Sequence, residues 1–326
     1  MARVSIILAI YRAEAFLEAC LADIAAQSFR DFEAICVDDG SPDRSGDIVR
    51  AFAARDPRFR LLVNPERRGG GASRNRAMRE ASGAFVYFMD PDDRLHPRML
   101  ECALSFAERE KADVVSFSFR RNAPFAPDAP LSAEIDALPY RVETRPFFRL
   151  GRGGAFRLNY NYWTKLYRRS ALDGAAFIEG GPENPHILSD FHHTALALFR
   201  MRRCVMLREP LYSYTVRPGS ETKSPIGRRQ IENYRLAVND LADRLEADRD
   251  AAVRRQLRSY VVSSVVRHQW RRLERLRADD PAAFDDVQKA YREELAELRR
   301  RGLLGGPGFR LRHLREWRGI HRLLRA

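Results

Sequence analysis

Apolar runs and helical spacings alternate along residues 1–120. Stretches at Val4–Tyr11, Phe32–Val37, Arg60–Val63, Ala84–Met89 and Val114–Phe119 are β-branched, aromatic or otherwise apolar. They read as short strands covered on both faces. Between them, Phe16, Leu17, Cys20, Leu21 and Ile24, then Ile48, Val49 and Phe52, then Ala72 to Ala81 recur at helical spacing. This alternation predicts an α/β fold: a mostly parallel, Rossmann-like sheet with helices on both faces. Ligands of such sheets bind beyond the carboxyl ends of the strands, so chemistry is expected in the polar residues that follow each strand.

Beyond this region the pattern changes. Residues 121–143 are rich in Pro and Ala and read as a loop or insertion. A polar-aromatic section follows, from about 144 to 221. Residues 228–301 carry long Arg/Glu/Leu/Ala stretches, broken near Asp280-Pro281, and predict helices. Between 308 and 325, helical spacing puts Phe309, Leu314, Trp317, Ile320, Leu323 and Leu324 on one side and Arg312, Arg315, Arg318, Arg322 and Arg325 on the other. A short helix of that kind suits an anionic membrane surface.

Composition adds limits. At 326 residues and 45% hydrophobic the chain can bury a sizeable core. It has no run of 18 apolar residues, so no membrane-spanning helix is expected. The apolar run at the N-terminus is too short for a signal peptide, with Arg12 close behind. Cys20, Cys36, Cys102 and Cys204 form no CxxC pair, and the apolar neighbours of Cys20, Cys36 and Cys102 lead to the expectation of buried free thiols in a reducing cytoplasm. The net charge is +13, and residues 299–326 alone hold nine Arg against one Glu. A basic chain raises nucleic acid as a partner. The aromatics of residues 1–120 lie mostly in predicted strands, however, and are not interleaved with the cations, so no nucleic acid is expected.

Two acidic clusters carry the chemistry. The second strand ends in Val37-Asp38-Asp39-Gly40-Ser41, carboxylates in a turn placed to accept hydrogen bonds from a ligand's N–H and hydroxyl groups. The fourth ends in Phe88-Met89-Asp90-Pro91-Asp92-Asp93. Three carboxylates in four residues repel one another unless a cation is present, and hard oxygen ligands suit Mg²⁺ or Mn²⁺ bridging to phosphate oxygens. Asp93 also stands where an acidic residue would cap a following helix.

These clusters, with Val4-Ser-Ile-Ile-Leu-Ala-Ile-Tyr11, Gln27-Ser-Phe, Asn64 and Gly69-Gly-Gly-Ala-Ser-Arg-Asn75, resemble the family 2 inverting glycosyltransferases of the GT-A fold. The resemblance implies a nucleotide-sugar-binding half in 1–120, an acceptor-binding half in 121–227 and a helical, Arg-rich C-terminal extension in 228–326. It implies that Ala9 and Tyr11 flank the base, that Asp38 and Asp39 hold base and ribose, and that Arg74 lines the nucleotide pocket. Asp90 and Asp92 would form the DxD element, with Asp92 the metal ligand. Arg12 stands where the family commonly has Asn.

The general base of such enzymes is the Asp of a Glu-Asp pair. Here Ser189-Asp190 stands in that place, so Asp190 is the expected base although Ser189 departs from the pattern. Asp93, Lys165, His193 and Arg217 are further candidate contacts to diphosphate or acceptor. Mn²⁺ or Mg²⁺, a UDP-sugar by default, and a glycan or lipid-linked acceptor are the implied partners. The implied place is the cytoplasm, with peripheral attachment to the inner face of the membrane through 308–325. A nucleotide-sugar pyrophosphorylase would show a Gly-rich loop with a basic residue after the first strand, which Ala9-Ile-Tyr-Arg12 does not provide.

Overall fold

The computed structural model describes residues 2–144, 161–179, 189–217, 228–246, 273–274, 276–277 and 279–301. The chain divides into two compact units, Met1–Phe147 with Gly151–Arg217, and Phe148–Leu150 with Pro218–Ala326.

In the first unit, β1 (Val4–Ile10), β2 (Phe32–Asp38), β3 (Phe59–Val63) and β4 (Phe85–Met89) alternate with α1 (Glu14–Ala25), α2 (Ser45–Arg55) and α3 (Gly70–Glu80). After β4 come β5 (Arg94–Leu95), α4 (Met99–Arg109), β6 (Val114–Arg121), β7 (Tyr140–Thr144), β8 (Lys165–Arg168), α5 (Ser189–Arg200) and β9 (Arg203–Tyr214). They build one sheet of order β3-β2-β1-β4-β8-β6-β9-β5, with β7 on β9.

The strands β3, β2, β1 and β4 are parallel, and β4 is buried at every position, as the unbroken apolar runs require. Beyond β4 the sheet is mixed. β8 is antiparallel to both β4 and β6, while β6 and β9 are parallel. Part of the expected 121–143 loop is a strand. Val142 and Thr144 of β7 are β-branched, and β7 pairs antiparallel with Arg203–Leu207 along the edge of β9.

The register aligns the carboxyl ends that matter. On β1, Ala9 pairs Val37 and Ile10 pairs Asp38 on one side, and Leu8 pairs Met89 on the other. The loops after β2 and β4 therefore emerge on either side of the end of β1.

Gln27, just after α1, is buried and ties that end of the helix to the start of α4: its Nε2 donates to His96 O at 2.8 Å, and its Oε1 accepts from Leu100 N at 3.0 Å. That gives one of the unpaired N–H groups at the start of α4 a partner. Asp93 is not the cap of α4, whose N-cap is Arg98. All four cysteines are buried free thiols, and burial pushes Cys36, Cys102 and Cys204 up to about 12.

The second unit holds α6 (Arg228–Glu246) and α7 (Pro281–Arg300). The Asp280-Pro281 break is a helix start: Asp280 Oδ1 accepts from Ala283 N at 3.0 Å and Pro281 takes the first turn, where it loses no bond. Ile231, Val238 and Leu241 of α6 and Val287, Tyr291 and Leu295 of α7 are buried. The amphipathic stretch 308–325 lies outside the described residues. Among the described residues no helix is long and apolar enough to cross a membrane.

Candidate functional site

The loop after β2 is built around Asp39, which is 2% exposed. Its Oδ1 accepts from Asn64 Nδ2 at 2.7 Å, Arg68 N at 2.9 Å and Ser73 Oγ at 3.0 Å, and its Oδ2 from Gly69 N at 2.7 Å. A carboxylate has room for about four acceptor bonds, two on each oxygen. Asp39 thus has about as many donors as a carboxylate accepts, all of them supplied by the fold. Asp38 is also buried, and its Oδ1 accepts from Ser41 N at 3.0 Å. A Cβ on Gly46 would stand 2.7 Å from Asp38 Oδ2, so the first turn of α2 approaches this carboxylate more closely than a side chain permits.

At the end of β1, Ala9 is half-buried and so is Tyr11. The guanidinium carbon of Arg67 stands 4.0 Å from the centre of the Tyr11 ring and that of Arg12 stands 5.4 Å away. A base stacking on Tyr11 shares the ring with these cations. Arg12 has φ 52°, in the left-handed region. Asn tolerates that region better than most residues, which accounts physically for Asn in the family pattern.

The loop after β4 is balanced by charge. Asp90 Oδ1 accepts from Arg74 Nη2 at 2.7 Å and from the Tyr162 hydroxyl at 2.5 Å. Arg74 is buried, also donates to the Tyr162 hydroxyl, and stands over the Tyr162 ring at 4.4 Å. Asp92 Oδ2 is 2.8 Å from Arg217 Nε. Burial and the neighbouring Asp90 raise the Asp92 carboxyl above its ordinary range, and Arg217 opposes them.

Asp93 is 1% exposed and reaches away to β9, accepting from the Tyr212 hydroxyl at 2.5 Å and Thr215 N at 2.7 Å. Burial first, then Asp90, push Asp93 up to about 8.

Among the described residues no three His, Cys, Asp or Glu side chains are gathered to hold a metal ion on their own. Mg²⁺-like ions are commonly held by one or two carboxylates plus substrate phosphates. The donor set fits that pattern, because Asp92 offers a crowded carboxylate that already faces a cation.

Behind Asp90 lies an aromatic wall. Phe88 meets Phe177 at 5.0 Å and His193 at 5.2 Å, both edge-on, and His193 stacks on Phe177 at 3.7 Å. His193 is 1% exposed, with Nδ1 2.6 Å from Ala175 O. Burial first, helped by the neighbouring His192, Arg74 and Lys165 and opposed by the bond to Ala175 O, brings its pKa down to about 3. Lys165 is fully buried on β8, and its ammonium donates to Asn161 O at 2.7 Å. Neither His193 nor Lys165 faces solvent in this arrangement. Asp190 falls in the first turn of α5, and its side chain lies outside the described residues.

Sequence reasoning missed Tyr162, Asn64 and Ser73 as partners of the acidic clusters. Asn64 and Ser73 stood inside quoted motifs, while Tyr162 meets Asp90 only through the tertiary fold.

Comparison with known proteins bears on the family and the fold. The model of "Glycosyl transferase family 2" matches residues 5–173. An uncharacterized glycosyltransferase, EpsJ of Bacillus subtilis (strain 168), is 31% identical over 225 residues, 68% of this chain and 63% of that protein. A putative glycosyltransferase, EpsH of the same organism, is 30% identical over 218 residues, 65% of this chain and 60% of that protein. The match therefore spans less than two thirds of the length of either relative. Among solved structures, S. aureus TarS 1-349 in complex with UDP-GlcNAc aligns with a TM-score of 0.67 at 22% identity, over 91% of this chain and 80% of that one. The mannosyltransferase PcManGT from Pyrobaculum calidifontis, in complex with GDP-Man and Mn²⁺, aligns with a TM-score of 0.55 at 17% identity, over 99% of this chain and 84% of that one. These likenesses establish the GT-A fold. With a family match over more than half of its residues, the chain belongs to glycosyl transferase family 2.

Proposed function

We propose that the protein transfers a sugar, with inversion, from a nucleoside diphosphate donor to a hydroxyl of a glycan or lipid-linked acceptor, in the assembly of a surface polysaccharide. The observation that carries this reading is the pairing of two acidic loops across the end of β1, one built on the buried carboxylates of Asp38 and Asp39 and one on the cation-balanced carboxylates of Asp90 and Asp92. The first suits the N–H of a base. The second suits a diphosphate that arrives with its counter-ion. A UDP-sugar is the default donor, supported by the likeness to S. aureus TarS 1-349, which was solved in complex with UDP-GlcNAc.

In this reading Asp92 holds Mn²⁺ or Mg²⁺ together with the diphosphate. A cation bound there supplies charge neutralisation to the leaving group. Asp90 keeps Arg74 along the pocket wall. Arg217, displaced from Asp92, turns to the phosphate oxygens, for which its planar fork is suited. Asp190, in the first turn of α5, takes the proton from the acceptor hydroxyl. The stretch 308–325 attaches the protein to anionic lipid at the inner face of the membrane, which flotation of the full chain with anionic liposomes tests.

Thermal stability against a panel of nucleoside diphosphates, with and without Mn²⁺, tests the donor site. A ligand at a hundred times its dissociation constant adds about 2.7 kcal/mol. UDP is expected to stabilise only with metal, and Asp92→Ala to abolish the shift. No shift with any nucleotide would sink the donor reading. Sugar transfer left near wild-type by Asp190→Asn, with donor binding unchanged, would sink the base assignment alone.

A further inference from the structure

Helix α3 belongs to the nucleotide side, yet two consecutive residues on it reach the chain of the acceptor side. Arg74 does so through Asp90 and Tyr162. Asn75 does so with its whole amide. Its Nδ2 donates to Phe177 O at 2.8 Å and to Glu179 Oε1 at 2.7 Å, and its Oδ1 accepts from Phe177 N at 2.8 Å. The pair of bonds to Phe177 N and O is what a neighbouring strand would supply. Residues 175–179 belong to no helix or strand, so the side chain of Asn75 stands in for one. The segment also lies close against the helix backbone: a Cβ on Gly71 would lie 2.3 Å from Ile178 O, so only glycine lets this segment seat on α3.

The seated segment then fixes α5. Ala175 O bonds His193 Nδ1 at 2.6 Å, and the Phe177 ring stacks on His193 with 5° between the planes. His193 stands three residues after Asp190, close to one helical turn. Asn75 to Phe177 to His193 is a continuous packed path from the nucleotide half to the start of α5.

We propose that Asn75 is a positioning residue for α5: it sets where the helix start, and with it Asp190, stands relative to a bound donor. The proposal rests on the reading of Asp190 as base, but its physical core, the seating of 175–179 by Asn75, does not. Misplacing a reacting group by about 1 Å costs roughly 100-fold in rate. Donor binding, which uses other residues, is untouched by such a shift.

The test uses the full chain, with UDP and Mn²⁺ for binding and Mn²⁺-supported UDP-sugar hydrolysis for turnover. Asn75→Ala is expected to leave the Kd for UDP with Mn²⁺ and the KM for the sugar nucleotide within about threefold while kcat falls roughly 10- to 100-fold. Hydrogen exchange at the Phe177 amide and along α5 is expected to speed up. Asn75→Asp loses both donors and faces the Glu179 carboxylate, so it is expected to be worse. Adding Glu179→Gln restores a donor and part of kcat, a rescue that general loss of packing would not give.

Unchanged kcat with unchanged Phe177 exchange in Asn75→Ala overturns the proposal, as does an equal loss of UDP affinity and kcat. Asp190→Asn separates the two readings. If it keeps turnover while Asn75→Ala loses it and exposes Phe177, the base assignment is wrong and the positioning role stands. If Asp190→Asn is inactive and Asn75→Ala is wild-type, the positioning role is wrong.

Discussion

The two acidic loops on either side of β1 hold their negative charge by opposite means. Asp39 sits in a cage of neutral donors, two backbone N–H groups, an amide and a hydroxyl. Asp90 and Asp92 sit against guanidinium groups, Arg74 and Arg217. Neutral donors fixed by the fold stabilise one buried carboxylate whether or not a ligand is present. In the second loop burial first, and then the neighbouring Asp90, raise the proton affinity of Asp92 and Asp93. The first loop is thus a finished piece of architecture, and the second, in the function proposed above, is completed by a cation.

The same substitution in the two loops breaks or confirms that contrast. Asp39→Ala leaves several buried donors without a partner, at roughly 1–3 kcal/mol each. The expected loss is at least about 3 kcal/mol. With roughly 2–4 °C per kcal/mol for a domain of this size, Tm falls by on the order of 10 °C. Asp92→Ala removes a repelling neighbour of Asp90, so its Tm without ligand is expected to stay within about 2 °C of wild-type or to rise. Calorimetry of both variants in metal-free buffer decides it; equal losses would mean the loops do not differ as described.

The same contrast explains what the sequence made legible. The strands and the acidic clusters were visible because a buried parallel strand leaves an unbroken apolar run, and polar residues must follow where it ends. Tyr162, Tyr212 and Phe177 were not, because their link to Asp90, Asp93 and Asn75 spans 72, 119 and 102 positions. No local period encodes such pairings. β7 was hidden in a Pro- and Ala-rich stretch because an edge strand of five residues needs only one partner. Arg12 stands out in the sequence only as a departure from Asn, whereas its positive φ shows a backbone demand that composition does not reveal. Asp93 read as a cap, since distance along the chain to α4 was the only guide.

The cations of the second loop also reach the core behind it. His193 is neutral in the folded state because burial, with His192, Arg74 and Lys165 nearby, disfavours its proton. In the unfolded chain it titrates near its ordinary value of about 6.5. Its contribution to stability is therefore whole above about pH 6.5 and is lost as pH falls toward about 3. The slope is at most about 1.4 kcal/mol per pH unit, so roughly 2 kcal/mol is gone by pH 5. Asn at this position can still donate to Ala175 O, but it has no titrating ring. His193→Asn is expected to be less stable at pH 7, from lost stacking on Phe177, yet to show a flatter Tm against pH between 6.5 and 5. An unchanged slope would mean that this histidine is protonated in the fold, and that the positive charge of the second loop does not extend into the aromatic wall.

The smallest effect on stability is expected at Arg217, and it sharpens the contrast most. Its side chain is 42% exposed, so solvent screens the pair with Asp92, and such exposed pairs are worth about 0–1 kcal/mol. Arg217→Gln should therefore move Tm by no more than about 3 °C. Metal binding should respond in the other direction. While Arg217 is paired with Asp92, a divalent ion must displace it, so removing the guanidinium removes a competitor. Mn²⁺ titrated alone, followed by its electron paramagnetic resonance signal, is expected to bind the variant several-fold more tightly, as about 1 kcal/mol of relieved competition gives. With UDP present the order reverses, because the diphosphate has lost its own contact to Arg217. Raising the salt concentration should shrink the first difference, since a half-exposed ion pair is screened. If Mn²⁺ binds both proteins alike, Asp92 is not where the cation goes, and the second loop is balanced by arginine for architecture, as the first is by neutral donors.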